Sequence, residues 1–401
     1  MKPIEILAHL ATVGTPPDAP SALEMAVGLD GYTDHISRET LPFLTGGGCE
    51  LQFVYGQYGR GKTHFLQTIR ELARCHGFVT AYVDCRMGQS PFKSLQETYR
   101  MIAQAMTAPE ENEDSRYTKG VAGVIRQALL LTDNVSNQLH AVRAHPGLVP
   151  DYRNLVYAFA NNAASGETHL NLGEALTSLL NADSGYAVRV GSLYRDHPHL
   201  PRPIGKIGRR NAAAWLRSLL SLPWALGYPG LVLLFDETER GHSFSSRMSA
   251  AQQLHLANLR NFVDHMAVGA FQGVSIHYAV VEDFIELARE RLEALSQRIE
   301  RVRVDVIDSD GILIGNPRAV WVSLDELTQP SPQDTSFFLQ LGAKIIDIGC
   351  QAGLSEERIP PLKEQFSSEA PAFAESIFEG AVREYVKLAA ASVAREVVRR
   401  D

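Results

Sequence analysis

The chain has 401 residues, of which 45% are hydrophobic and 21% charged, and its formal net charge is −8. This composition is typical of a folded globular protein with enough chain for two or three domains, and it excludes a largely disordered one. Because the balance is acidic and no basic stripe is present, a dedicated nucleic-acid surface is not expected, and any DNA contact should be weak or indirect.

The sequence offers no signal for export or membrane insertion. The N-terminal stretch MKPIEILAHLATVG has too short an apolar run, and is too acidic, for a signal peptide. No window approaches the ~18 consecutive apolar residues of a membrane span. The four cysteines form no CxxC pair and are expected to be thiols, as in a reducing compartment. We therefore expect a cytoplasmic protein without membrane contact.

Helical and strand patterns alternate in the first quarter of the chain. Ile4, Ile6, Leu7 and Leu10 predict a short amphipathic helix, followed by the proline-rich link GTPPDAP and a second helical stretch. The strand CELQFVYG comes next, and then a helix over residues 61–75.

A second strand, FVTAYVDC at residues 78–85, completes a βαβ unit, which implies parallel strands. The stretch SPFKSLQETYRMIAQAM predicts a further helix, with Ser90 as its N-cap and Pro91 at its first position.

The rest of the chain divides into a helical region, a second group of strands and a helical end. Residues 120–222 are mostly helical, GLVLLFDE, GVSIHYAVV and RVRVDVI predict strands, and the pattern from Ser323 onward is wholly helical. Residues 111–222 are too long for a simple connection, so they are expected to be a helical insertion. A packed structural cap and a partner-binding region fit that insertion equally well. The predicted domains are an N-terminal helical segment (1–50), a core (51–110 and 223–322), the insertion (111–222) and a C-terminal helical lid (323–401).

A glycine-rich motif follows the first strand. GQYGRGKT, residues 56–63, fits the phosphate-loop pattern G-x-x-x-x-G-K-[ST] at every fixed position. Its glycines let backbone N–H groups point at phosphate oxygens, and the following helix adds its positive N-terminal end. Lys62 would reach the β- and γ-phosphates, and the Thr63 hydroxyl would ligate Mg²⁺. The alternative is a glycine-rich turn with an accidental Lys-Thr, but the flanking strand and helix favour an ATP site. The predicted binding residues are Gly56, Gln57, Tyr58, Gly59, Arg60, Gly61, Lys62, Thr63 and His64.

An acidic pair ends the apolar strand GLVLLFDE. Ligands of parallel sheets bind at the carboxyl ends of the strands, where this pair lies. Asp236 would hold Mg²⁺ together with Thr63, and Glu237 would orient or deprotonate an attacking water. An acidic pair after a strand is often only the start of a loop, but its combination with a phosphate loop favours the catalytic interpretation.

Further polar residues are candidates for sensing the nucleotide. The strand GVSIHYAVV is expected to lie beside both motifs, with His277 and Tyr278 more typical of a core than of a catalytic site. Arg298 and Arg301 lie at i and i+3, and they could act as arginine fingers on a neighbouring subunit of a homo-oligomer or form ordinary surface ion pairs. Arg383, in a late helix, could approach the γ-phosphate from the lid or be merely solvated.

Four stretches in order resemble one protein family: GQYGRGKTHFL, GYPGLVLLFDETER, HYAVVEDFIE with LSQRIE, and VREYVKL. Over roughly residues 30 to 395 the chain is similar to the ATP-binding proteins of BREX phage-resistance systems, the BrxC and BrxD type, and most to the shorter BrxD. The resemblance implies an AAA+ fold, with a parallel α/β core and a helical lid. It also implies a role in a multi-protein defence complex that acts on DNA alongside a methyltransferase. The residues it assigns are Lys62, Thr63, Asp236, Glu237, Arg298 and Arg383.

One departure from the family's pattern matters. Family members read Gly-Thr-Pro-Glu-Phe where this chain has Val280 to Phe284, so Val281 replaces the threonine that could sense the γ-phosphate. The leading hypothesis is therefore an AAA+ ATPase that remodels or gates a defence complex. The alternative is a nucleotide-bound interaction module with little turnover. A small-molecule phosphotransferase is a third interpretation, against which Glu237 argues.

Overall fold

The computed structural model describes two compact units of the chain. The first combines Met1–Ser37, Phe53–Leu72 and Val280–Asp401, and the second combines Arg38–Gln52 with Ala73–Ala279. The described residues are 1–56, 61–85, 91–109, 119–165, 170–183, 207–236, 250–281, 284, 306–307, 313–314, 321–324, 335–375 and 380–399.

Six of the strands in the described residues form one sheet, in the order β3-β2-β4-β5-β1-β8. The pairs β2–β4, β4–β5 and β1–β8 are parallel, while the short β3 runs antiparallel to β2. Strands β6 and β7 form a separate antiparallel pair. The predicted mixed α/β fold with a mostly parallel sheet is thus confirmed. The strands are β1 Cys49–Tyr55, β2 Val79–Asp84, β3 Met106–Thr107, β4 Leu231–Asp236, β5 Val274–Val280, β6 Val306–Ile307, β7 Leu313–Ile314 and β8 Trp321–Ser323.

The central strands are buried on both faces. Every residue of β4 and of β5 is buried, which explains why both read as nearly continuous apolar runs instead of alternating ones. Phe235 pairs in register with Tyr278, and their rings lie 5.4 Å apart. Strand β5 lies between β4 and β1, so the prediction that it neighbours both motif-bearing strands is confirmed.

Helices precede, connect and follow these strands. Among the described residues, no helix is long and apolar enough to cross a membrane. The helices are α1 Pro3–Val13, α2 Ala19–Glu24, α3 Asp30–His35, α4 Leu41–Thr45, α5 Lys62–Cys75, α6 Leu95–Ala105, α7 Gly120–Leu131, α8 Val135–Ala144, α9 Pro150–Ala164, α10 Leu170–Leu180, α11 Ala212–Ala225, α12 Ala250–Ala267, α13 Ser336–Gln351, α14 Ile359–Ala374 and α15 Ala381–Val398, with a π-helical turn at Ile36–Thr40 and a 3₁₀ turn at Glu356–Arg358.

The predicted helix over SPFKSLQETYRMIAQAM is correct in its middle and wrong at its ends. It begins after Ser94, whose hydroxyl accepts a hydrogen bond from the Glu97 N–H, so Ser94 is the N-cap instead of Ser90. Phe92 adopts a left-handed conformation with φ 68°, and its N–H donates to the Thr98 hydroxyl at 2.9 Å. Met106 leaves the helix and starts β3, because it pairs with Ala81 of β2.

The prediction that the chain is wholly helical from Ser323 is wrong at that residue. Trp321–Ser323 form β8, which extends the sheet beside β1. Trp321 pairs in register with Phe53, and the two rings lie 4.8 Å apart. This aromatic contact between distant parts of the chain stabilises a three-residue strand that is too short to recognise by its pattern.

In the first unit, the N-terminal helix packs with the C-terminal helices. The predicted apolar face of α1 is buried, and it joins a cluster with residues of α13, α14 and α15 around Tyr385. A core of this kind is expected from helices with matching apolar stripes. The main members of the cluster are Ile6, Leu7, Leu10, Met25, Val27, Phe338, Leu341, Ile345, Ile346, Leu362, Phe366, Tyr385, Ala389 and Val393.

In the second unit, α7, α10 and α11 of the predicted insertion contact α6. The Tyr99 hydroxyl of α6 donates to the Leu180 carbonyl of α10 at 2.7 Å. The Trp215 ring of α11 lies 6.0 Å from Tyr99 and 5.5 Å from Tyr152 of α9. These buried contacts support the structural-cap interpretation for this part of the insertion.

Two glycines make a close backbone contact where β4 and β5 begin. Gly230 has φ +156°, and a Cβ built on it would lie 2.2 Å from the Gly273 carbonyl oxygen. That oxygen accepts a hydrogen bond from the Leu231 N–H at 2.7 Å and is therefore fixed in place. No side chain fits here without separating the two strands.

We predict that Gly230→Ala destabilises the protein by about 3 kcal/mol, because overpacking adds to an unfavourable backbone conformation. Gly227→Ala is the matched control, since its φ is also positive, +88°, but its Cβ would meet nothing within 4 Å. The control should lose only about 1 kcal/mol. Urea unfolding of both variants measures the difference, and equal losses would contradict the packing argument.

Candidate functional site

A strand and a helix flank the phosphate-loop motif, as the sequence predicts. Strand β1 ends at Tyr55, and α5 begins at Lys62. Gly61 is left-handed with φ +86°, and its carbonyl accepts the first helical hydrogen bond, from the Phe65 N–H at 2.8 Å. A glycine is required at such a turn into a helix. The predicted site residues Gln57, Tyr58, Gly59 and Arg60 lie outside the described residues.

The Lys62 side chain folds back over the start of the loop. Its ammonium donates to the Gly56 carbonyl oxygen at 2.8 Å, and the side chain is half-buried. Thr63 is exposed in the first turn of the same helix. The first turn of α5 thus combines a cation with a helix N-terminus, an arrangement suited to binding an anion.

The His64 ring contacts the N-terminal segment. It makes a hydrogen bond to the Ala22 backbone, and burial lowers its pKa to about 4. One turn later, the Thr68 hydroxyl lies 3.4 Å from the Ala22 carbonyl oxygen. This contact engages one of the two ring nitrogens of His64.

Asp236 is a buried carboxylate held by a tyrosine. It ends β4 with 3% exposure, and its Oδ2 accepts a hydrogen bond from the Tyr82 hydroxyl at 2.5 Å. Asp236 also pairs in register with Asp84 at the end of β2. Sequence reasoning missed Tyr82, which only the register of β2 against β4 would have brought to this carboxylate. Glu237 lies outside the described residues.

A polar row runs through the buried strands β1 and β5. The Ser275 hydroxyl donates to Glu50 Oε1 at 2.8 Å and lies 3.1 Å from His277 Nε2. These contacts link a side chain of β1 with two side chains of β5. His277 and Tyr278 are both 1% exposed, so the prediction that they are core residues is confirmed.

His277 should make stability depend on acidity. Burial lowers its pKa from 6.5 to about 4, so the unfolded chain binds a proton below pH 6.5 that the folded protein takes up only near pH 4. The free energy of unfolding therefore falls as the pH drops below 6.5, by about 2 kcal/mol at pH 5.

This prediction is checked by urea unfolding at pH 7 and pH 5. Between pH 7 and pH 5, the free energy of unfolding should fall by about 2 kcal/mol more in the wild type than in His277→Asn, because asparagine does not titrate in this range. The exposed His140 provides the control, because His140→Asn should keep the wild-type pH dependence. An unchanged pH dependence in His277→Asn would contradict the argument.

The structure places Arg383 in the first turn of α15, with its side chain exposed. Val281, half-buried, follows β5, and its carbonyl accepts a hydrogen bond from the Phe284 N–H at 3.1 Å. The candidate fingers Arg298 and Arg301 lie outside the described residues, so their role stays a prediction.

Comparison with known families gives one match. A family model described as BREX system ATP-binding protein BrxC/D matches residues 5–130 and 204–398, which is most of the chain. The matched ranges include the phosphate loop, Asp236, most of α1 and all of α15. The comparisons with curated proteins and with solved structures gave no match.

Proposed function

This chain belongs to the BREX system ATP-binding protein family BrxC/D, and from that premise we propose that it is an AAA+ ATPase of the BrxD type. Membership implies nucleotide binding and a place in a multi-protein phage-defence system. The observation that carries the proposal is that β1 ends at Tyr55 and α5 begins at Lys62, with the Lys62 ammonium donating to the Gly56 carbonyl oxygen. In this position the amine needs only a local rotation to bind a phosphate.

The proposed site takes ATP with Mg²⁺. The phosphate loop would hold the phosphates, and Thr63 and Asp236 would hold the metal ion, which neutralises phosphate charge. Tyr82 would orient Asp236, because its hydroxyl occupies one of the two carboxylate oxygens. Glu237 would activate the attacking water, and Arg383 would approach the γ-phosphate from the lid.

Membership of the family also supports a proposal about the partners of this chain. We propose that it acts on other proteins of the defence complex, contacts DNA only indirectly or weakly, and forms a homo-oligomer in which Arg298 and Arg301 reach a neighbouring subunit. The division into an N-terminal segment, core, insertion and lid is part of this proposal. The gap in the family match, residues 131–203, falls inside the proposed insertion and supports it.

A nucleotide-bound interaction module is the second candidate. Val281 stands where the resemblance expects a threonine. It favours this candidate because a valine side chain cannot hydrogen-bond to a phosphate or to water. In that case the nucleotide stabilises the fold without being consumed.

Phosphate release and nucleotide retention separate the two candidates. For an ATPase, purified protein should release phosphate from ATP with Mg²⁺ and stop when EDTA is added. A module should instead retain stoichiometric nucleotide through purification and release no phosphate. Size-exclusion chromatography with and without ATP tests the homo-oligomer, and an unchanged monomer would remove the finger role of Arg298 and Arg301.

A further inference from the structure

The end of α1 lies directly against Arg383. Gly14 caps this helix in a left-handed conformation, φ +75°, and its N–H donates to the Leu10 carbonyl at 2.9 Å. A Cβ built on Gly14 would lie 2.5 Å from Arg383 Cγ and 2.6 Å from the Arg383 carbonyl oxygen. Because one of these atoms is backbone, rotation of the arginine side chain cannot relieve the overlap.

The residues after Gly14 are anchored in the core of the C-terminal helices. Met25 and Val27 are 1% and 7% exposed and belong to the apolar cluster of α13, α14 and α15. The Gln351 amide at the end of α13 also donates to the Glu24 carboxylate. This segment therefore belongs structurally to the helices that carry Arg383.

The same segment also contacts the phosphate-loop helix. The Ala22 carbonyl, near the C-terminus of α2, faces His64 and Thr68 of α5. These two residues lie one and two turns after the glycine that opens the helix. Residues 14–27, which we call the N-terminal strap, thus contact Arg383 at one end and α5 at the other.

We propose that the N-terminal strap fixes Arg383 relative to the phosphate loop, with Gly14 as its positioning residue. This inference rests on the proposed function, in which Arg383 approaches the γ-phosphate. Since a nucleoside diphosphate lacks that group, the strap contributes to affinity for the triphosphate and little to affinity for the diphosphate. It thereby helps the protein to distinguish ATP from ADP.

Gly14→Ala tests the proposal, and Gly28→Ala is its control. Gly28 has nearly the same φ, +74°, but a Cβ there would meet nothing within 4 Å. Affinities for ADP and for a non-hydrolysable ATP analogue are measured by titration calorimetry. Gly14→Ala should weaken binding of the ATP analogue about tenfold, the size of one lost charge-assisted hydrogen bond, and ADP binding less than about twofold. Gly28→Ala should change neither.

A double mutant identifies the route of the effect. If Gly14 acts through Arg383, then Arg383→Ala should match Gly14→Ala, and the pair together should lose no more than either alone. The proposal is overturned if the affinity losses of the two single variants multiply in the double variant. It is also overturned if Gly14→Ala binds both nucleotides as Gly28→Ala does.

Hydrogen exchange separates failure of the strap from failure of the proposed function. If Arg383→Ala leaves binding of the ATP analogue unchanged, the γ-phosphate role of Arg383 is wrong. The strap is then judged by amide exchange of residues 381–387. Faster exchange in Gly14→Ala than in Gly28→Ala supports the positioning contact, and equal exchange refutes it.

Discussion

Lys62→Ala is expected to weaken ATP binding by about 10- to 150-fold. A hydrogen bond from an ammonium to a phosphate contributes about 1.5–3 kcal/mol, and the backbone N–H groups at the start of α5 would remain in the variant. The Lys62 amine already lies 2.8 Å from the Gly56 carbonyl oxygen, so little side-chain ordering remains to be done on binding. Titration with a fluorescent ATP analogue in the presence of Mg²⁺ measures the loss.

The control is Lys363→Ala, which removes an exposed lysine from α14. It makes the same change in net charge and should leave the affinity within about twofold, because exposed charges distant from a ligand are screened by salt. Circular dichroism should show that both variants are folded. If folded Lys62→Ala binds the analogue as the wild type does, the phosphate loop is not the nucleotide site.

The strand and helix that flank the candidate site were predictable because their signal is local. An apolar strand, a glycine turn and an amphipathic helix follow one another in the chain, and the structure shows β1, a left-handed Gly61 and α5 in that order. The central strands could be predicted equally well, because strands buried on both faces carry uninterrupted apolar runs. These features depend on residues that are neighbours in the sequence, so they can be predicted from a single sequence.

The features that sequence reading missed depend on distant partners. Tyr82 meets Asp236 through the register of β2 on β4, which no local pattern specifies. Helix α6 is capped by Ser94 instead of the predicted Ser90. The buried ring of Phe92 lies 5.0 Å from the ring of Phe262, a contact with a distant residue that no local pattern specifies.

The N-terminal helix shows the same limit on a larger scale. Its apolar face was evident from Ile6, Leu7 and Leu10, but a stripe of apolar residues does not say what it packs against. The structure supplies the answer, namely the helices of residues 336–398. A segment that reads as a separate N-terminal piece therefore shares a core with the far end of the chain, and this is why Gly14 can act on Arg383.

The ATPase proposal depends most on one residue, and Glu237→Gln is expected to lower phosphate release by about 100-fold or more while ATP binding is retained. Glutamine keeps the size of the side chain but cannot take a proton from water, and loss of a general base typically reduces rates by about 10²–10⁴. Asp236 beside it is buried and held by Tyr82, so a single amide in place of the next carboxylate should leave the metal contact intact. Phosphate release and analogue binding are measured on the same preparation.

The control and the competing outcomes make this experiment decisive. Glu357→Gln makes the same chemical change at an exposed position and should release phosphate at the wild-type rate. If Glu237→Gln and the wild type hydrolyse ATP equally slowly, Glu237 is not the base. Together with Val281, that result would favour the binding module. If the affinity falls while the rate at saturating ATP is unchanged, Glu237 acts in nucleotide binding and not in the chemical step, because a group used only in the transition state lowers the saturated rate.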